Sequence, residues 1–247
     1  MTQRILRINL WSGPRNVSTA LMYAFAQRSD TRVFDEPLYG HYLRVSGAHH
    51  PGRELVLART DVRGERVIAN VVLGPHERPV VFFKQMAHHL VRLELAFLAR
   101  CANVLLIRDP REMLPSLAQN LERPSLRDTG LARQSWLYDW LRARGQVPAV
   151  LDARQVLLDP RGVLGELCRR LGLAFEERML TWPAGGRPED GVWAPHWYAS
   201  VHRSTGFQAY EPKTEPLAAH LEPLLAECRP HYERLAALAI RAQSASV

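Results

Sequence analysis

Short apolar runs alternating with helical patterns predict an α/β fold for this chain, a mainly parallel sheet with helices on both faces. Two further observations agree. The run Ile5, Ile8 and Leu10 breaks at Ser12-Gly13-Pro14, and helical spacing then starts at Ser18 with Leu21, Met22 and Phe25. Hydrophobic residues make up 47% of the 247 positions, which allows a large core and excludes wholesale disorder.

The stretch from Arg4 to Gln27 organises the rest. Strand, tight turn and helix start form a ready anion site, because unpaired N–H groups point outward there and the helix dipole favours negative charge. Gly13, Pro14, Arg15, Asn16 and Val17 form the loop; Arg15 offers a fork of donors, and Ser18 and Thr19 offer hydroxyls. Three readings stand at this point. The loop holds a phosphate, or it is an ordinary turn with Ser18 as N-cap, or it is a degenerate ATP loop. Against the last, Ser18, Thr19 and Ala20 stand where Gly, Lys and Ser/Thr belong, so no lysine reaches a γ-phosphate.

Thr31 to Phe34 reads as the second strand, with Asp35 and Glu36 just past its C-terminal end and Pro37 fixing the exit. Arg44 to Asn70 shows little periodicity and reads as a long surface connection. Val80 to Phe83 is a strand ending in Lys84, followed by a helix from about Met86 to Ala99. Val104 to Ile107 is the next strand, and Pro110 suits the first turn of the helix after it. Helical patterns continue to Leu121 and from Leu131 to Arg144. Val147 to Leu151 is one more strand, and Asp159-Pro160 opens another helix. Trp182 to Gly206, rich in Gly, Pro and Trp, is expected to be irregular, and a last helix runs from Glu215 to Ala239, kinked at Pro230. Neither a repeat nor a linker divides the chain, so a single domain over residues 1–247 is expected.

The formal charge of +7 comes from arginines spread along the chain rather than from a basic tract, which favours a compact polyanionic ligand over nucleic acid. Cys101, Cys168 and Cys228 are far apart and odd in number, and suit reduced core residues of a cytoplasmic protein. No apolar run is long enough to span a membrane, and with the first strand starting so early no signal peptide is expected.

Arg108 ends a buried strand, and Ser116 lies eight residues on, two turns into the next helix. A third group, His202-Arg203-Ser204-Thr205-Gly206, is a basic loop after an aromatic stretch. With these pieces in place, the chain resembles the sulfotransferases that use 3′-phosphoadenosine 5′-phosphosulfate (PAPS). SGPRNVST resembles their phosphosulfate loop, with Arg15 where Lys is usual and Val17 where Gly is usual. LIRDPREMLPS matches their strand-ending Arg and following Ser, which hold the 3′-phosphate, and HRSTG their late nucleotide-covering loop. VLDARQVLLDPRGVLGELCRRLGLAF is similar to their tail, so the likeness runs from about Arg4 to Leu238.

The resemblance implies a P-loop nucleoside-triphosphate-hydrolase-like three-layer architecture and transfer of a sulfuryl group to a hydroxyl of a small molecule. It implies PAPS as donor, PAP as product and no metal. Arg15 would stabilise charge on the departing phosphate. For the base, Asp35-Glu36-Pro37 resembles the Glu-Pro pair of a bacterial trehalose-sulfotransferase branch, so Glu36 comes first, His88 second and His41 third. A P-loop kinase-like phosphotransferase and an inactive nucleotide-binding protein are the alternatives. Neither nucleic acid nor membrane is expected as partner; the acceptor depends on Arg44 to Asn70 and Leu121 to Arg144, and the oligomeric state, homodimer included, is left open.

Overall fold

In a computed structural model, which describes residues 5–213 and 215–243, five strands form one parallel sheet. They are β1 (Leu6–Ser12), β2 (Thr31–Asp35), β3 (Val80–Met86), β4 (Ala102–Ile107) and β5 (Ala149–Asp152), in the order β2-β3-β1-β4-β5. Arg4, the start of the N-terminal stretch, lies outside the described residues.

Period-two side chains from the same strands feed two cores. Trp11, Val81, Phe83, Leu105 and Ile107 pack on one face against the helices Pro110–Ala118, Leu131–Arg142 and Glu222–Ala236. Ile8, Leu10, Phe82, Val104 and Leu106 pack on the other, against α1 (Ser18–Ala26) and the helix Pro160–Leu171. Both faces are therefore dry, which is why β3 is buried at every position. The chain leaves β1 towards β2 and β3, then returns to its other side for β4 and β5. That reversal puts a topological switch between β1 and β4, the place where open α/β sheets form ligand crevices.

Several elements differ from expectation. Arg44 to Asn70 is largely helical: it takes in the end of α2 (Tyr39–Ser46), then α3 (Arg53–Arg59), Gly64–Val67 and the start of a π-helical turn at Ile68–Val72. Its apolar residues are divided between two clusters: Val56 joins Tyr39, Tyr42, Leu43, Trp193, Ala194 and Tyr198 in a third cluster, while Val67 and Ile68 join the first core, so no helix shows a full stripe of its own. The expected helix from Met86 to Ala99 is reduced to two 3₁₀ segments, Ala87–His89 and Leu95–Arg100. β3 instead runs on to Met86, paired with Ser12, then turns through a 3₁₀ segment at Ala87–His89, and Arg92 at φ 47° blocks helical continuation. The irregular stretch Trp182 to Gly206 contains short helices at Ala194–Trp197 and Ala199–His202. The last helix starts at Glu222 and passes through Pro230. Pro230 lies on the solvent face, where a freed carbonyl is hydrated while Leu225, Cys228 and Leu235 stay packed.

Phe82 is 1% exposed and stacks on Phe25 at 4.3 Å, joining β3 to α1. Phe82→Ala should cost about 3–5 kcal/mol of stability, read as a lower urea midpoint at unchanged slope. A loss below about 1 kcal/mol would mean that this face relaxes around the void.

Candidate active site

A cleft of about 340 Å³ opens at the C-terminal edge of the sheet, over the ends of β1, β3 and β4. Its first wall is the loop after β1. Gly13 is forced here by its neighbours, since a Cβ would lie 2.4 Å from the Thr129 carbonyl oxygen. Asn16 pins the loop: its side-chain amide donates to the Leu106 carbonyl at 3.2 Å, and its oxygen accepts from the Val17 N–H at 2.8 Å. Arg15 takes φ 52°, a left-handed conformation that costs about 1–3 kcal/mol and concentrates at functional sites. Pro14, Arg15, Asn16, Val17, Ser18 and Thr19 all line the cleft.

Arg108, just past β4, donates to the Arg15 carbonyl at 2.9 Å, and Arg15 Nε donates to Ser116 Oγ at 2.7 Å. The two guanidiniums thus share one corner, and Lys213 lines it too. Burial, then the Arg108 charge, lowers the Arg15 proton affinity; burial and the same arginine lower that of Lys213. Arg108 Nε is buried without a hydrogen-bond partner, with Glu112 Oε2 at 3.5 Å as counter-charge. Like charges held this close, with donors still free, are chemically suited to an anion carrying several charges.

The second wall is built at the ends of β2 and β3. Asp35 pairs in register with Lys84, and Glu36 follows at φ 40°, its N–H donating to the Lys84 carbonyl at 2.8 Å. Lys84, only 1% exposed, donates to Asp35 Oδ1 at 2.8 Å, to Tyr198 OH at 2.6 Å and to Glu36 Oε1. Tyr198 OH in turn donates to Asp35, and Trp193 Nε1 donates to Tyr198 OH at 3.0 Å. Burial raises the Glu36 carboxyl above the ordinary carboxylate range, with Lys84 opposing and Asp35 adding to the rise. Burial alone would lower Lys84, but Asp35 and Glu36 outweigh it and hold its proton firmly.

The histidines complete this wall as neutral groups. Burial, then His50, pushes His88 down to about 3, and burial with His88 pushes His89 down as well. His89 stacks on Tyr39 at 4.9 Å, and His50 Nδ1 shares a hydrogen bond with Tyr39 OH at 2.9 Å. All four residues line the cleft. His41 does not: its ring nitrogens are engaged by the Val91 carbonyl and the Gly64 N–H.

The cleft therefore brings together the Arg15 loop, Arg108, Ser116, Glu36 and His88. Of the late loop it takes in Ser204 and Gly206. Arg203 and Thr205 are exposed and line no part of it, and His202 is engaged with Asp190 at 3.0 Å. Lys84, Tyr198, Trp193 and Lys213 were not among the expected site residues. The lysine carried one signal, a charge inside the fully buried strand VVFFKQM. Among the described residues no group of acidic, His or Cys side chains could hold a metal, and no helix is long and apolar enough to cross a membrane.

A family model described as "Sulfotransferase domain" matches residues 6–239. Two Arabidopsis thaliana proteins are similar in sequence. Branched-chain-amino-acid aminotransferase-like protein 1 is 42% identical over 214 residues, which is 85% of this chain and 38% of that one. Its counterpart, protein 2, is 38% identical over 231 residues, 92% of this chain and 41% of that one. The chain thus spans about two-fifths of the length of these curated relatives. Among solved structures, a sulfotransferase from Alicyclobacillus acidocaldarius aligns at TM-score 0.55 and 18% identity, covering 96% of this chain and 97% of that one. The sulfotransferase domain from the curacin biosynthetic pathway aligns at 0.53 and 15%, covering 92% and 99%. At these identities the structures speak for the fold alone.

Gly13→Ala should push the Thr129 carbonyl away and cost about 1–3 kcal/mol, seen as a lower Tm. An unchanged Tm would show that the loop shifts freely at this point.

Proposed function

This chain belongs to the sulfotransferase-domain family, and on that premise we propose that it moves a sulfuryl group from PAPS to a hydroxyl of a small-molecule acceptor. One observation carries the reading: a wall of converging cations faces a wall that holds a buried carboxylate of raised proton affinity, across one cleft.

PAPS, when bound, supplies a sulfuryl group already joined to a good leaving phosphate. The residues present fit it. Arg108, with Ser116 and Lys213, suits its 3′-phosphate, and the Arg15 loop with the first N–H groups of α1 suits its phosphosulfate end. Arg15 would stabilise the negative charge that develops on the leaving phosphate when the sulfuryl group passes to the acceptor oxygen. Glu36 receives the acceptor's proton. Its raised affinity brings it nearer to neutral pH, where a base works best. His88, held to about 3, is too weak a base to compete. Aromatic and imidazole rings of Tyr39, His50, His89, Trp193 and Trp197 offer the acceptor a dry surface.

The nucleotide reading predicts that PAP raises Tm more than ADP does, since only PAP carries a 3′-phosphate. Arg108→Ala should weaken PAP binding by about 10- to 100-fold, or about 1.5–3 kcal/mol. Equal shifts with PAP and ADP would remove this reading.

The base reading predicts that Glu36→Gln lowers turnover by about 10²–10⁴-fold with PAP affinity nearly unchanged. The active form is the carboxylate, so wild-type turnover should fall as pH drops through a midpoint above the ordinary carboxylate value. PAP release from PAPS over a panel of phenols, sugars and alkanols measures both. An acid limb that survives in Glu36→Gln would assign the proton to another group.

A further inference from the structure

We propose that Lys84 is the positioning residue of this site: its buried ammonium, held by Asp35 and Tyr198, orients the Glu36 carboxylate along the cleft and keeps it in the anionic form that accepts a proton. The inference rests on the reading of Glu36 as base.

The geometry leaves Lys84 little else to do. An ammonium has three protons, and here Asp35 Oδ1, Glu36 Oε1 and Tyr198 OH take one each. None is left for a substrate atom, so Lys84 acts through its partners although it lies at the cleft. Its bond to Glu36 uses one carboxylate oxygen. The other, Oε2, has His89 Nδ1 at 4.0 Å, and the Tyr198 hydroxyl also lies beside the carboxyl and favours its anionic form. One oxygen is anchored and the other is available, which is the arrangement a proton acceptor needs.

The groups around Glu36 support the same conclusion from each element packed on it. From β2, Asp35 is a like charge and opposes ionisation of Glu36. From the turn Ala87–His89, His88 and His89 are kept neutral by burial and contribute no positive charge. From α2, Tyr39 holds its proton because of burial and Glu36 itself. From the segment after Trp193, Tyr198 holds its proton because of burial, Asp35 and Glu36. Among the described residues Lys84 is the cation that pairs with Glu36. An unpaired carboxylate so deeply buried would take up a proton and stop being a base.

Tyr198 gives the arrangement its direction. Trp193 Nε1 and Lys84 both donate to its oxygen, and its own proton goes to Asp35. Gly191 N–H also donates to Asp35 Oδ2 at 2.9 Å. The segment Gly191 to Tyr198 therefore fastens Asp35, which leaves Lys84 fixed on the side facing Glu36.

Glutamate labelled with ¹³C at its side-chain carboxyl, with Glu36 assigned through Glu36→Gln, reports its titration by NMR without any acceptor. Lys84→Met should move the Glu36 midpoint up by about 1–3 pH units, and the acid limb of turnover should move with it. Lys84→Arg, which keeps the charge, should bring both back towards wild type. Asp35→Asn has the opposite sign: with the like charge gone, the midpoint should fall. That variant carries the test if Lys84→Met does not fold. An unmoved Glu36 midpoint in Lys84→Met, with turnover reduced equally at every pH, would overturn the proposal and assign Lys84 to the donor instead. A midpoint that stays or rises in Asp35→Asn would overturn it as well. Glu36→Gln with full turnover is a different result, seen in a different variant: it removes the base reading and this inference with it.

Discussion

The site depends on one backbone contact, the bond from Arg108 to the Arg15 carbonyl across the gap between β4 and β1. It holds the loop in the left-handed turn that Arg15 adopts, and that turn sends the Arg15 side chain towards Ser116. Each arginine is thus held by a carbonyl or a hydroxyl, and Glu112 is the counter-charge of Arg108. Shape and charge are coupled here. Whatever keeps the loop closed also keeps two positive charges together, and repulsion between them favours any anion that comes between.

The opposite wall solves the reverse problem. Lys84, Asp35 and Glu36 are ionisable groups with almost no exposure, and one ammonium set against two carboxylates leaves the wall with a net negative charge when all three are ionised. An anion with several charges is therefore favoured on the arginine side. The cleft is polarised because one wall carries more carboxylates than cations and the other more cations than carboxylates. Strain marks both: Arg15 and Glu36, one on each wall, are among the few non-glycine residues with positive φ.

Much of this was legible in the sequence wherever a short local signal sufficed. β1, the break at Ser12-Gly13-Pro14 and α1 follow from one change of period, and Pro110 and Pro160 each mark the first turn of a helix, with Asp109 and Asp159 as caps. Glu36 was singled out by its place between a strand and a proline, and Arg108 with Ser116 by spacing. What escaped depends on distant partners. Lys84 belongs to a strand because Asp35 and Glu36 neutralise it, so the strand runs further than its apolar run suggests. The helices after Tyr39 have no complete stripe because they bury against Trp193 and Tyr198, about 150 residues later in the chain. Lys213 follows a stretch with no regular structure and reaches the cleft only through the fold.

The third apolar cluster has a separate bearing on how such a protein can change over time. Tyr39, Tyr42, Leu43 and Val56 with Trp193, Ala194 and Tyr198 form a small core of their own, apart from the two that sandwich the sheet. Substitutions there, Tyr198 and its partner Trp193 aside, leave the strands and the arginine corner with their packing intact. They reshape the ring-lined side of the cleft, and the loss of stability stays local. A scaffold partitioned in this way can vary the ring-lined side of its cleft while the arginine corner is inherited unaltered.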